Sequence, residues 1–189
     1  AALRTAGGAA LGGRLASEIG RELGRLEIVL EQLAEVEAER DAIAAGKAEA
    51  CHPQGEKIRQ LTMLKAIGPE TATVLVGEAF WRPFANRRQL GAYAGLDPSP
   101  FASGSSDRDQ GIAKSGNARL RTLMVELAWM WLRYQPDSAL SRWFRERVGD
   151  LKGRPRRIAV VALARKLLVA LWRYLETGEV PDGAILKAA

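Results

Sequence analysis

The stretch Ile58–Ala79, IRQLTMLKAIGPETATVLVGEA, decides the fold. Its apolar pattern predicts a helix ending at Ala66, a tight turn at Ile67-Gly68-Pro69, and a second helix with Pro69 in its first turn. Proline suits that position, where a helix leaves its N–H groups unused. Two short helices about a glycine-bearing turn resemble a helix-hairpin-helix, which aims backbone N–H groups at a phosphate. Gly68 is the candidate contact. Ala66 stands where the first glycine of such a turn usually stands, and an ordinary helical hairpin buried in a core fits the same residues.

Toward the N-terminus, Gly46, Pro53 and Gly55 break the chain within AGKAEACHPQGE, which places a boundary near residues 46–56. Before it, Leu15–Ala45 reads as one long helix. Ile19, Leu23, Leu26, Leu30 and Leu33 alternate steps of four and three, the seam of a coiled coil. Glu37 spoils the next step. From Arg14 to Asp41 four arginines face eight carboxylates, so this arm is acidic. Pairing with another subunit and packing on its own domain both fit the seam. Residues 1–13 are a flexible Gly/Ala-rich stretch without the basic-then-apolar order of a signal peptide. Starting at Ala1 rather than Met, the sequence is expected to be part of a longer chain.

Toward the C-terminus, FWRPFANRRQLGAYAGLDP interleaves Arg82, Arg87 and Arg88 with Trp81, Phe84 and Tyr93. Basic and aromatic residues together suit a nucleic-acid surface; aromatics in a core beneath solvated arginines read equally well. Asn86 is placed to cap a short helix ending at Gly91 or Gly95. A serine loop over 97–117 follows. Asn117 then opens a helix with Leu120, Leu123, Met124, Leu127, Trp131 and Tyr134 on one face, its Trp and Met residues expected in the core. Pro136 ends it, Asp137 or Ser138 caps a short helix, and Pro155 opens a last helix to about Glu176. Between Arg142 and Arg173 ten basic residues meet two acidic ones. The chain is thus polarised into an acidic arm and a basic body, a footprint of nucleic-acid binding.

The predicted fold is mainly α: a long coiled-coil helix with its linker (14–55), then a compact helical domain (56–189) containing the helix-hairpin-helix-like element. The 189 residues are 47% hydrophobic and 26% charged, with net charge +6 and pI about 9.8. These values fit a globular chain with a polyanionic partner. One cysteine, Cys51, excludes an intrachain disulfide and fits a reducing cytoplasm. With His52 the only histidine, a zinc site lacks ligands. Arg165 and Lys166 interrupt the most apolar run, short of a membrane span. No G-x-S-x-G occurs, which argues against a serine hydrolase.

The serine loop concentrates Ser103, Ser105, Ser106 and Ser115 with Arg108, Lys114, Arg119 and Arg121. Gly104 permits close approach of a backbone or phosphate. Asn117 opens a helix whose N-terminal amides face an anion favourably. A serine is a weak nucleophile until cations stabilise the charge developing at the attacked phosphorus. From these residues alone, a nucleophile, a phosphate-binding loop and a solvated loop all remain open. Asp107 and Asp109 read as solvated loop charges rather than a metal pair.

LKAIGPETATVL, FANRRQLGAYAGLDPSP, the Ser103-Gly104 pair and GIAKSGNARLRTLMVELAW follow one another in the order found in a bacterial transposase family. Over roughly residues 56–175 the chain resembles the transposases of IS one-ten-type insertion sequences, the bridge-RNA-guided recombinases. The resemblance implies an N-terminal RNase-H-like domain with four metal-binding acidic residues, a coiled coil, and a C-terminal transposase domain. This chain resembles the last two. It implies that Ser103 is the catalytic nucleophile, forming a covalent phosphoserine link to DNA. It also implies that the acidic domain of one subunit completes the serine site of another. Expected partners are DNA, a guide (bridge) RNA and further copies of the chain, as dimer or tetramer. No cofactor is expected in this chain; a divalent metal, magnesium, belongs to the acidic domain. The chain alone is therefore expected to be inactive. Ala113 stands where the family often has serine, which leaves Ser103 untouched. Gly68, Arg82, Arg87, Arg88, Gly104, Arg108, Lys114, Asn117, Arg119 and Arg121 are the candidate nucleic-acid contacts. The alternative is a non-catalytic helix-hairpin-helix binding module.

Overall fold

The computed structural model describes residues 4–47, 54–103, 106–113 and 115–187, with the backbone alone for 99–103 and 106–110. Cys51, His52, Gly104, Ser105 and Lys114 lie outside the described residues. The chain divides into two units, the first ending at Ala42 and the second running from Ile43 to Ala189.

The first unit is carried by α1, Gly13–Ala44, close to the helix read from the heptad spacing. No residue of α1 is buried. Leu23, Leu26, Leu30 and Leu33 are each about half exposed along the seam.

The second unit is helical apart from one hairpin. Its elements are α2 (Gly55–Thr62), α3 (Pro69–Leu75), a π-helical turn Val76–Phe80, α4 (Arg87–Tyr93), β1 (Pro98–Ser103), β2 (Ser106–Ile112), α5 (Ala118–Tyr134), α6 (Ala139–Val148) and α7 (Arg154–Thr177). The fold is mainly α, as the sequence predicted. Three boundaries rest on side-chain caps. Asn86 Oδ1 accepts from the N–H groups of Arg88 and Gln89, Asn117 Oδ1 from that of Leu120, and Ser138 Oγ from that of Ser141. Each satisfies a donor the first helical turn leaves free, worth about 1 kcal/mol.

The core lies where α5 and α6 pack on α7, with α2 also against α7 and α3 against α2 and α5. Leu163, Leu167, Leu168 and Leu171 of α7 meet Leu120, Met124, Leu127 and Trp131 of α5. Each such side chain contributes about 1.5–3 kcal/mol on burial. Trp131 is fully buried, and its Nε1 donates to Ser138 Oγ at 2.9 Å. The expectation that every Trp and Met of α5 is core needs correcting: Trp129 and Met130 are exposed. They fall off the stripe set by Leu120, Met124, Leu127 and Trp131, and Arg156 stacks on the Trp129 ring.

The turn after α2 also differs in detail from the sequence reading. α2 ends at Thr62 rather than Ala66, and residues 63–68 form an irregular connection. Ala66 has φ +89°, the left-handed region that favours glycine. The C-terminal segment lies on this connection. Lys65 N donates to Ile185 O, Lys187 N to Met63 O and Lys187 Nζ to Ile67 O. Buried Gln135 binds Lys65 O, Ile185 O and Ile185 N together.

The region read as a serine loop is a two-stranded antiparallel hairpin over most of its length. Strands β1 and β2 pair in the register Phe101–Arg108, Ala102–Asp107 and Ser103–Ser106, with an irregularity between Pro98 and Pro100. Apolar alternation, the usual strand signal, is absent from PSPFAS and SDRDQGI.

Candidate functional site

The hairpin rises from a root in which backbone packs on backbone. After α4 the chain reverses at Gly95, φ +63°, with Gly95 N bonded to Ala92 O and Leu96 N to Gly91 O. The returning strand is fixed to the same place: Ala113 N donates to Asp97 O at 2.8 Å and Asn117 N to Tyr93 O at 2.7 Å. Gly116 is wedged against the end of α4. A Cβ on it would lie 2.2 Å from Tyr93 O, 2.4 Å from Gly95 N and 2.7 Å from Ala92 O. These neighbours are main-chain atoms with no rotamer to swing aside, so residue 116 must be glycine.

Two side-chain clamps hold the root. Asp97 Oδ1 lies 2.6 Å from Arg165 NH2 of α7 in a partly buried ion pair. No well-aligned hydrogen bond reaches that oxygen, so the link is chiefly electrostatic. A Cβ on Gly91 would come within 2.5 Å of the same oxygen. The second clamp is Glu78, in the π-helical turn. Its carboxylate accepts from Asn117 Nδ2 at 2.7 Å and Arg119 NH1 at 2.9 Å, and its carbonyl accepts from the Tyr93 hydroxyl at 2.9 Å. Glu78 is not among the residues that the sequence pattern singles out. Its only signal was a lone carboxylate in the apolar run VLVGEAF.

The candidate residues now fall into groups. Ser103 is the last residue of β1, paired with Ser106 at the end of the ladder away from the root. Arg108 sits on β2 opposite Phe101. Gly104, Ser105 and Lys114 lie outside the described residues. Asn117, Arg119 and Arg121 gather at the root. Asn117 serves as cap and as Glu78's donor, Arg119 is its exposed ion-pair partner, and Arg121 reaches Gly95. Arg82 is half-buried, its guanidinium carbon 5.4–5.9 Å from the ring centres of Trp81, Phe84 and Tyr93. Arg87 and Arg88 are exposed at the start of α4 and line a cavity of about 600 Å³ with residues of α7. Gly68 caps α3 with extended backbone, beside the connection that the C-terminal segment covers.

Burial raises the Tyr174 hydroxyl above its ordinary pKa and lowers that of the Lys187 ammonium. Among the described residues no three His, Cys, Asp or Glu side chains gather as a metal site needs. No described helix is long and apolar enough to cross a membrane.

Residues 58–142 match the family model described as Transposase IS116/IS110/IS902 family. The chain is 50% identical over 190 residues to "Putative transposase y4rJ" of Sinorhizobium fredii, covering 98% of this chain and 48% of that protein. It is 32% identical over 166 residues to "Probable family 20 transposase" of Pseudomonas aeruginosa, covering 86% of this chain and 45% of that protein. It is 30% identical over 131 residues to the transposase for insertion sequence element IS1328 of Yersinia enterocolitica, covering 66% and 37% respectively. The chain thus spans about half the length, or less, of these relatives. The matched family segment runs from within α2 to the start of α6, including the hairpin, its glycine root and Glu78. Residues 58–142 thus carry the segment that defines the IS116/IS110/IS902 family of transposases.

Proposed function

We propose that this chain carries the nucleophile of an insertion-sequence transposase that cuts and rejoins DNA, and that the nucleophile is the Ser103 hydroxyl. The observation that supports this best is where residue 103 falls: at the end of a ladder whose root is pinned by Gly116, Asp97–Arg165 and Glu78. A pinned support limits the positions a nucleophile samples, which lowers the entropic part of the barrier.

In the proposed reaction, Ser103 Oγ attacks a phosphodiester phosphorus. The P–Oγ bond forms as the bond from phosphorus to one sugar oxygen breaks, and the serine proton ends on the departing sugar hydroxyl. A hydroxyl of a different strand end then attacks the phosphoserine, forming a new phosphodiester and returning a proton to Oγ. One phosphodiester is exchanged for another and no water is consumed. Arg108 and Lys114 are the cations proposed to offset charge on the attacked phosphoryl group.

The whole exchange is proposed for the full-length protein. DNA is the substrate, a guide RNA directs it, and subunits pair through the α1 seam, whose leucines lie half exposed at heptad spacing. A divalent metal would be held by carboxylates of the acidic domain; no step assigned here to this chain runs through it. A non-catalytic helix-hairpin-helix module is the second reading, favoured by the glycine-like backbone at Ala66. Against it, Lys65 N and Ile67 N already donate within the chain. Ser103→Ala in the full-length protein separates the two. Loss of strand exchange with DNA binding held within about twofold supports the nucleophile; unchanged exchange overturns it.

A further inference from the structure

The cavity beside α4 is lined by two sets of residues the proposed chemistry does not use. Arg87 and Arg88 of α4 and Lys166 and Arg173 of α7 supply cations. Leu140, Val169, Val180 and Pro181 supply apolar surface. Lys166, Val169 and Arg173 recur at steps of three and four, so one stripe of α7 faces the cavity. Its two cations stand about 10 Å apart along the helix axis, at 1.5 Å per residue.

The charge balance is one-sided. Arg165, also on the wall, is paired with Asp97, and Asp182 with Arg142 at 3.6 Å. Arg87, Arg88, Lys166 and Arg173 are all exposed, and none has a carboxylate partner among the described residues. Glu179 is the one acidic lining residue left to oppose them. The Lys166 ammonium sits 4.7 Å from the centre of the Trp143 ring, which holds it in place without neutralising it.

We propose that this cleft binds an unpaired DNA strand. Its phosphates lie on Arg87, Arg88, Lys166 and Arg173, and a base or sugar rests on the apolar floor. Cations at the rim and an apolar floor match a single strand, which offers both phosphates and unstacked base faces. A duplex presents its phosphates on a convex cylinder and cannot lower a base into a cavity of about 600 Å³. The position gives the site a use. Arg165 forms one wall of the cleft and also clamps Asp97 at the hairpin root. A strand held there lies beside the element carrying Ser103, as a strand end awaiting rejoining must. Only this use rests on the proposed function; the binding does not.

The test is fluorescence anisotropy with the 189-residue chain. Labelled oligothymidylate is the probe, with oligouridylate and a duplex of the same length as comparisons. The Arg88→Gln/Arg173→Gln double variant should bind oligothymidylate at least tenfold more weakly. Its salt slope should be shallower by about 1.4, since each phosphate contact to a single strand contributes about 0.7. Arg25→Gln, in α1, should change binding less than twofold. Equal affinity of wild type and the double variant overturns the proposal. So does a duplex that binds as tightly as the strand and weakens equally, or an RNA strand preferred tenfold over DNA. Strand binding that depends on Arg88 and Arg173, with no adduct at Ser103 in the full-length protein, leaves the cleft standing and removes the nucleophile. An adduct at Ser103 with binding indifferent to both arginines does the reverse.

Discussion

Gly116→Ala tests the root of the hairpin with a single methyl group. The added carbon would lie 2.2, 2.4 and 2.7 Å from Tyr93 O, Gly95 N and Ala92 O, where ordinary contact begins at 3.4 Å. Relief requires the end of α4 and the start of α5 to separate by about 1 Å, the shortfall from ordinary contact, because packed main chain does not yield locally. That movement breaks the 2.7 Å bond from Asn117 N to Tyr93 O. Overpacking costs about 1–3 kcal/mol and the lost hydrogen bond about 1 kcal/mol more. The expected destabilisation is about 2–4 kcal/mol, a fall in Tm on the order of 5–15 °C for a unit of this size. Urea and thermal unfolding followed by circular dichroism give the answer. Two other glycines calibrate it. Gly68→Ala, with open space and φ −90°, should change stability by less than about 0.5 kcal/mol. Gly111→Ala, with open space but φ +84°, should cost about 1–2 kcal/mol from the left-handed backbone alone. If Gly116→Ala unfolds with the wild-type midpoint, or no lower than Gly68→Ala, the packed root is refuted.

Asp97→Asn leaves the partly buried Arg165 without its counter-charge and should cost about 1–3 kcal/mol, whereas Asp182→Asn, in an exposed pair, should cost less than about 1 kcal/mol; equal effects in urea unfolding would refute the clamp. Tyr174→Phe removes the bond from the hydroxyl to Gln60 O and should cost about 1 kcal/mol at neutral pH. Burial raises the Tyr174 pKa above 10.0, so its contribution is fully present below pH 10 and is lost as pH rises through the folded value. The lowered pKa of Lys187 acts oppositely, favouring the fold as pH rises toward 10.5. Stability of Tyr174→Phe should therefore fall less steeply than wild type above pH 10, and parallel profiles would contradict the assignment. Leu26→Glu/Leu30→Glu places charges on the α1 seam and should shift the sedimentation coefficient to that of a monomer with the second unit still folded; an unchanged oligomer would remove the seam as the pairing surface.

Much of the helical frame was legible because its signals are local. Asn86, Asn117 and Pro155 mark helix starts by their own chemistry, and the α5 stripe follows from the helical period. The hairpin was not, because its register comes from Ala113 on Asp97 and Asn117 on Tyr93, contacts between segments rather than a pattern within one. For the same reason Gly91 and Gly95 read in the sequence only as helix ends, and Gly116 carries no signal of its packed position. Each is small because another stretch of chain occupies the space its Cβ would take. Glu78 escaped notice because a single carboxylate carries no period. The basic cleft escaped because Arg87 and Arg88 lie far along the chain from Lys166 and Arg173 and meet only after folding.

The most direct measurement is the position of the covalent link. Full-length protein is trapped with DNA during exchange, digested with trypsin and nuclease, and the peptide Gln89–Arg108 sequenced by mass spectrometry. This peptide contains Ser99, Ser103, Ser105 and Ser106, so fragmentation tells them apart. One nucleotide-bearing phosphoserine is expected, at Ser103. A link at Ser99, Ser105 or Ser106, or exchange proceeding with no serine adduct at all, would contradict it.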